Sequence, residues 1–360
     1  MNLTAEQNHL QSLLAKVIGV VNKRNTIPIL SNVLLTATDK LKATATDLDT
    51  EVTASVLATV ITPGETTVSA ELLNGIVMKL PKGSLVTIEH DGQFLHVSAG
   101  RSKFKLATLN ATDYPAMASS DYQSTIEFQG LELKNAIEKT AWAASTEETR
   151  YYLNGIAMQY VDGKANFIAT DGHRLAWYVD GEAPTFPSVI VPSKTAKIFK
   201  DLLDAGTATV QVSETKVKLT FGDVSVVSKV IDGTYPDWGR IIPKDNANSV
   251  TMPSTDAKQA IERVIIVATE RTKAVGLSIK GGELTFKVND PTGGTAAETL
   301  ATEQIGLDAE LGVNSKYAID AFAQADKGDV TIHYNGAIEA MLIKYDKEPK
   351  LTVVTMPMRA

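Results

Sequence analysis

Apolar residues recur along this chain with two periods, and the order in which the periods alternate repeats. Leu10, Leu13, Leu14, Val17, Ile18 and Val21 have the spacing of one face of a helix. So do Leu133, Ile137, Ala141 and Ala144, and again Ala257, Ala260, Ile261, Val264, Ile265 and Ala268. A second helical pattern follows each of these: Leu72, Leu73, Ile76, Val77 and Leu80; Ile198, Phe199, Leu202 and Leu203; Ala318, Ala321, Phe322 and Ala325. Between the helices lie short β-branched runs divided by turn signals such as H-D-G-Q, V-D-G-K, F-G-D-V and K-G-G-E. The pattern predicts three units, each with two helices and about eight strands. The apolar helix faces need a sheet to cover, which makes the fold class α+β, helices packed on antiparallel sheets.

Fixed landmarks give the repeat its period. Tyr114-Pro115, Tyr235-Pro236 and Met356-Pro357 stand 121 residues apart. Thr46-Asp47, Thr170-Asp171 and Asn289-Asp290 precede them at intervals of 124 and 119, and Val68, Val191 and Val313 each precede a mid-unit helix at intervals of 123 and 122. Three landmarks in one order at one period define three domains, 1–122, 123–246 and 247–360.

Composition then removes whole classes of chemistry. The chain has no cysteine, so disulfides, thiol nucleophiles, thiolate zinc sites and iron–sulfur clusters are excluded. His9, His90, His96, His173 and His333 lack metal-site spacing, and no cofactor or metal is expected. No apolar run approaches membrane-spanning length and the N-terminus has no signal core, so the expected location is cytoplasmic, with no membrane partner. The formal charge of −7 argues against a simple basic DNA-binding domain. Its distribution is more informative, because the predicted helices carry ten cations against nine acids while the rest of the chain is acidic. A near-neutral helical lining within an acidic shell would hold a polyanion weakly and without base preference. Size adds a constraint. A domain of this length is a sphere ~35 Å across; three in a triangle leave a hole of ~5 Å, six in a hexagon one of ~35 Å. Only the hexagon, a two-fold dimer of this chain, clears a duplex of about 20 Å.

The segment T-D-G-H-R-L (170–175) breaks the repeat. Asp47 and Asp290 occupy the place of Asp171, so a structural turn accounts for that residue, whereas Gly172-His173-Arg174 occurs in the middle copy alone and is a functional candidate. Asp171 and His173 could suggest a hydrolase, but no G-x-S-x-G elbow supports one. With R-N-T-I-P-I-L-S-N (24–32), A-T-D-L-D-T-E-V (45–52), R-Y-Y-L-N-G (150–155), A-T-D-G-H-R-L-A (169–176), S-V-I-V-P (188–192), S-K-V-I-D-G-T-Y-P-D-W (228–238) and M-P-M-R-A (356–360), the chain resembles the bacterial DNA polymerase III β subunit, the replication sliding clamp. The resemblance runs over the full length. It implies three DNA-clamp domains, a ring-forming head-to-tail homodimer and no catalysis. The ring would encircle double-stranded DNA without sequence preference in the cytoplasm, at the nucleoid. It would be opened by a clamp-loader ATPase. It would tether the DNA polymerase III α subunit, other polymerases, ligase and mismatch-repair proteins through linear motifs.

The resemblance also implies sites. A partner-peptide groove would use Leu153, Thr170, Gly172, His173, Arg174, Leu175, Pro236, Arg240, Ile241, Ile338, Ala340, Val354, Met356, Pro357 and Met358. Apolar side chains rimmed by a few cations, with methionines as adaptable walls, suit a surface that several peptides share. DNA contacts would come from Arg24, Tyr151, Tyr152 and Lys194. The dimer interface would pair Phe104 and Leu106 with Ile266 and Val267, and set Arg101, Lys103 and Lys105 against an acidic cluster. Here the chain departs from the family pattern: the acidic segment falls on P-T-G-G-T-A-A-E (291–298), where Glu298 alone is acidic, and the family's basic pair at the mid-unit helix is Glu71 and Leu72. The alternative to a closed ring is a clamp-like paralogue that binds partner peptides without stable closure.

Overall fold

The computed structural model describes residues 1–22, 26–118, 120–269, 274–325 and 327–359. Six α-helices fall where the apolar periodicity puts them: α1 Gln7–Val17, α2 Ala70–Lys79, α3 Gly130–Ala141, α4 Ser193–Leu202, α5 Ser254–Val264 and α6 Ser315–Phe322. Val68, Val191 and Val313 each stand two residues before α2, α4 and α6, so that landmark marks the same strand-to-helix junction in every repeat. The described residues also form 26 strands, close to the eight per repeat expected from the turn signals.

By compactness the chain divides into two units, residues 1–134 with 184–230, and 135–183 with 231–360. In the first, thirteen antiparallel strands make one sheet. It starts at Ser124–Gln129, passes through Val224–Lys229 paired to Thr50–Val56, and ends at Asn2–Glu6 and Thr59–Thr62. Alternate residues of these strands (Val33, Leu35 and Ala37; Leu41, Ala43 and Ala45) are fully buried, and Leu10, Leu13, Leu14 and Val17 of α1 are buried with them. Gln7 Nε2 donates to the Val77 carbonyl at 2.7 Å, joining α1 to α2 in the interior. On α2 the buried face is Ala70, Leu73 and Val77, while Leu72 lies off that stripe and is 57% exposed.

In the second unit, strands Gly155–Val161, Lys164–Thr170, Arg174–Glu182, Leu351–Thr355, Met341–Tyr345, Asp329–Tyr334, Asn248–Pro253 and Glu303–Ile305 neighbour one another in that order. Gly294–Ala301, Glu283–Asp290, Ala274–Lys280 and Ala309–Asn314 form a separate four-stranded sheet. α5 and α6 pack on each other, and Ala257, Ala260, Ile261, Ala318 and Ala321 are their buried apolar residues along with Val264 and Phe322. Lys139, counted from sequence among the solvated helix cations, is buried instead, its Nζ donating to the Gln324 carbonyl at 2.5 Å with Glu348 Oε1 at 3.5 Å.

The polar-Asp landmark is one turn built three times. Asp47 Oδ1 accepts from the Asp49 and Thr50 amides, Asp171 Oδ1 from His173 and Arg174, and Asp290 Oδ1 from Thr292 and Gly293. Each second oxygen also has a donor: Lys194 Nζ on Asp47, Arg174 Nε on Asp171, and the Thr269 amide and hydroxyl on Asp290. The structural reading of Asp171 is therefore the observed one. Both its oxygens are engaged by the turn and by Arg174, and neither touches the His173 ring, so the Asp–His hydrolase arrangement is absent.

Candidate functional site

The middle copy of this turn opens a small depression. Thr170 ends one strand; its hydroxyl donates to the Arg174 carbonyl at 2.5 Å and accepts from the Gly172 amide at 3.0 Å, which holds the hairpin tight. Gly172 sits at φ +89°, and the Nη1 of Arg150 is 2.9 Å from where a Cβ would be. Leu175 pairs with Val354 across the sheet to form the floor. The Met356 amide then donates to the His173 carbonyl at 2.9 Å and carries the C-terminal segment over the turn. Thr170, Gly172, His173, Arg174, Leu175, Ile241, Val354 and Met356 line the depression. Its free volume is about 10 Å³, room for a single water at most. An apolar side chain enters only if Met356 or Ile241 moves, and both are substantially exposed, at 41% and 38%.

Arg174 is the anchor of the site rather than a rim cation. It is 8% exposed; Nε reaches Asp171 at 3.1 Å, Nη1 reaches Asp320 at 2.6 Å and Nη2 donates to the Trp142 carbonyl at 2.7 Å. Its guanidinium lies 4.9 Å from the Trp142 ring and 4.5 Å from that of Tyr317, a stacked, bidentate environment that only arginine fills. Burial and the Asp171 charge push the Tyr317 phenol up. Sequence reasoning missed Trp142, Tyr317 and Asp320, because nothing in their spacing ties them to the turn, and gave no role to Arg150, although it opens the quoted motif R-Y-Y-L-N-G. Trp177 and Trp238, with rings 4.9 Å apart, lie beside the floor and were also missed. Trp238 ends the quoted motif D-G-T-Y-P-D-W, which was the available signal.

The remaining groove residues separate. Leu153 is buried, and Arg240 pairs in solvent with Asp237 at 2.8 Å. Leu153, Pro236, Arg240, Ala340 and Pro357 do not line the depression. Ile338 and Met358 belong to a second, larger one of about 520 Å³ against the face of the four-stranded sheet. The Met358 amide donates to the Gly312 carbonyl at 2.8 Å, so alternate residues of one tail, Met356 and Met358, face the two depressions. Ile338 is 90% exposed beside the larger one.

Of the expected DNA contacts, Arg24 lies outside the described residues. Tyr151 is 55% exposed and meets Tyr152 edge-on at 5.8 Å. Lys194 is not a free cation: its ammonium holds Asp47 at 2.5 Å and the Val20 carbonyl at 3.2 Å. Burial raises the Asp47 carboxyl, but the Lys194 and Thr50 hydrogen bonds outweigh it and leave the group below its usual range. At the expected interface, Phe104 is 36% and Ile266 79% exposed, with Leu106 and Val267 half-buried. Glu298, the one acid of segment 291–298, is bound by Arg263 of its own chain through both Nε and Nη2. Strand Ser102–Leu109 has a ladder partner along one side only, apart from Thr108 and Leu109, and Gly294–Ala301 is the edge of its sheet.

Comparison with known proteins covers the whole chain. Residues 1–118, 127–237 and 239–359 match the N-terminal, central and C-terminal domains of the DNA polymerase III beta subunit. The beta sliding clamp of Caulobacter vibrioides is 39% identical over 372 residues, all of both chains. A sliding clamp from Bartonella birtlesii, solved bound to griselimycin, superposes over all of both chains with a TM-score of 0.96 at 36% identity. One from Pseudomonas aeruginosa, also bound to griselimycin, gives 0.96 at 31%, again over both full lengths.

Proposed function

The chain belongs to the DNA polymerase III beta subunit family, the beta sliding clamps, and from that premise we propose that it encircles duplex DNA as a homodimeric ring and tethers replication proteins to it. The family is one of processivity factors without catalysis of their own. The observation that carries the reading is the threefold repeat, present in the aspartate turns as well as in the helices, because six like domains are what a hole wide enough for a duplex requires. Two open strand edges supply a means of closure. Ser102–Leu109 is flanked by Arg101, Lys103 and Lys105, and Gly294–Ala301 carries Glu298. An edge of one copy pairing with the other edge of a second leaves neither of these two edges exposed, which explains why both tolerate apolar residues in Phe104 and Ile266.

Partners would dock at the two depressions beside the C-terminal tail, with Met356 and Met358 as movable walls. The pair of griselimycin-bound relatives supports a ligand-binding surface on this fold. No described helix is long and apolar enough to cross a membrane. A topological link has a direct test. Protein loaded by its clamp-loader ATPase onto closed circular duplex should stay with the circle through a high-salt wash and fall off after a single cut. Loss from uncut circles under the same wash means that binding is by contact and the ring reading fails.

A further inference from the structure

The sheet face that forms the floor of the small depression continues beyond it. Val354 stands opposite Leu342, and Leu342 opposite His333; one step along the strands, Trp177 stands opposite Thr352, and Lys344 opposite Thr331. Residues opposite one another share a face, so His333 and Lys344 are on the side of the sheet that carries Leu175 and Val354. With strands ~4.8 Å apart and alternate residues ~6.8 Å apart, the Lys344 backbone lies ~8 Å from Val354 and that of His333 ~10 Å.

Both groups are half-buried, and neither makes an ion pair among the described residues. Lys344 Nζ has the Thr352 hydroxyl as its partner. The buried Lys139 is neutralised by Glu348, and even the exposed Lys194 and Lys350 pair with Asp47 and Asp180. Burial pushes the Lys344 ammonium down; burial and then the Lys344 charge push the His333 imidazole down. A half-buried ammonium with a hydroxyl but no carboxylate as its partner, beside an imidazole that resists protonation, is a standing cost, of the kind retained where a ligand supplies the missing charge.

We propose that Lys344, with His333 beside it, is a subsite for a carboxylate on the polypeptide whose apolar residue fills the small depression. The proposal rests on the reading of that depression as a partner groove and specifies the partner's chemistry: an acidic residue about three positions from the apolar anchor, since an extended chain advances ~3.3 Å per residue. The Thr352 hydroxyl orients the ammonium, and its remaining N–H groups are left for the carboxylate.

The test uses the full-length protein and fluorescently labelled peptides carrying one leucine as the apolar anchor, with a single Asp placed two, three or four positions to either side and an Asn control for each. In the wild type one register should bind about tenfold tighter with Asp than with Asn. The preference should vanish in Lys344→Met, which keeps the stem, and persist in Lys344→Arg. Asn peptides that bind with no Asp preference in any register, or a preference that survives Lys344→Met, would overturn the subsite and leave the groove standing. If no peptide binds, or if Met356→Ala with Met358→Ala leaves the affinity unchanged, the groove is misplaced and the subsite falls with it. Should Lys344→Met weaken retention of a short duplex instead of the peptides, the anion is a DNA phosphate and the proposal is wrong.

Discussion

Arg174 shows how one residue fixes the geometry of the candidate site without being available to a ligand. Its three donor groups are spent on Asp171, Asp320 and the Trp142 carbonyl, and the rings of Trp142 and Tyr317 lie 4.9 and 4.5 Å from it. Replacing it by lysine retains the charge but supplies one compact ammonium for partners that lie on different sides, so at least one carboxylate is left shielded and unpaired. Such losses destabilise by about 3–5 kcal/mol. Arg174→Lys should therefore lower the denaturant midpoint clearly, whereas Arg240→Ala, at a side chain 86% exposed, should stay within about 0.5 kcal/mol of wild type. Equal effects from the two would mean that Arg174 is not structural. The distinction matters for the site's chemistry, because Arg174, expected from the sequence on the groove rim, is already neutralised, whereas Lys344 has only a hydroxyl as its partner among the described residues.

At the scale of elements, the aspartate turn is a repeated hydrogen-bond pattern in which the residues after the aspartate differ from copy to copy, beginning with the one immediately after it. The middle copy has Gly172 there at φ +89° and the first has Leu48 at φ +77°. A leucine in the left-handed region is strained by about 1 kcal/mol and is 42% exposed with little to lose, so Leu48→Gly should raise stability by about 0.5–1 kcal/mol. Gly172→Leu should lower it, both through the same strain and because a Cβ meets Arg150. Urea unfolding of the two variants checks the pair, and a Leu48→Gly that destabilises would mean the leucine packs usefully in solution. These turns also mark what the sequence made legible. Helix positions, the three repeats and the turn were readable because periodicity and local hydrogen bonding depend on residues close in sequence. The eight residues lining the small depression were carried over from motif resemblance, and the structure brings them together. Trp142, Tyr317 and Asp320 were not readable, because each reaches the turn from a distant segment, and the role of Arg150 was hidden although its motif was quoted. The separation of Ile338 and Met358 into a second depression was equally hidden, since it depends on the alternation of the tail between two sheets.

For the whole molecule, the open question is what would hold two copies together, and the charges at the expected interface give a quantitative answer. Three basic residues, Arg101, Lys103 and Lys105, would meet segment 291–298, whose single acid, Glu298, is already bound by Arg263. Little net attraction between opposite charges remains, and what there is lies at an exposed rim, where an ion pair contributes about 0–1 kcal/mol. Apolar burial must then dominate. Ile266, 79% exposed in the isolated chain, would stabilise each interface by roughly 1.5–3 kcal/mol if covered. A two-fold ring has two such interfaces, so the effect of one substitution is doubled. Light scattering should accordingly give twice the 38.6 kDa chain mass, with dissociation on dilution unaffected between about 0.1 M and about 1 M salt, over which the Debye length falls from roughly 10 to 3 Å. Ile266→Asp should give a monomer at the same concentration. A wild-type dimer that comes apart as salt rises would place the closing energy in ion pairs. A wild-type monomer at micromolar concentration would favour a clamp-like protein that engages peptides without closing.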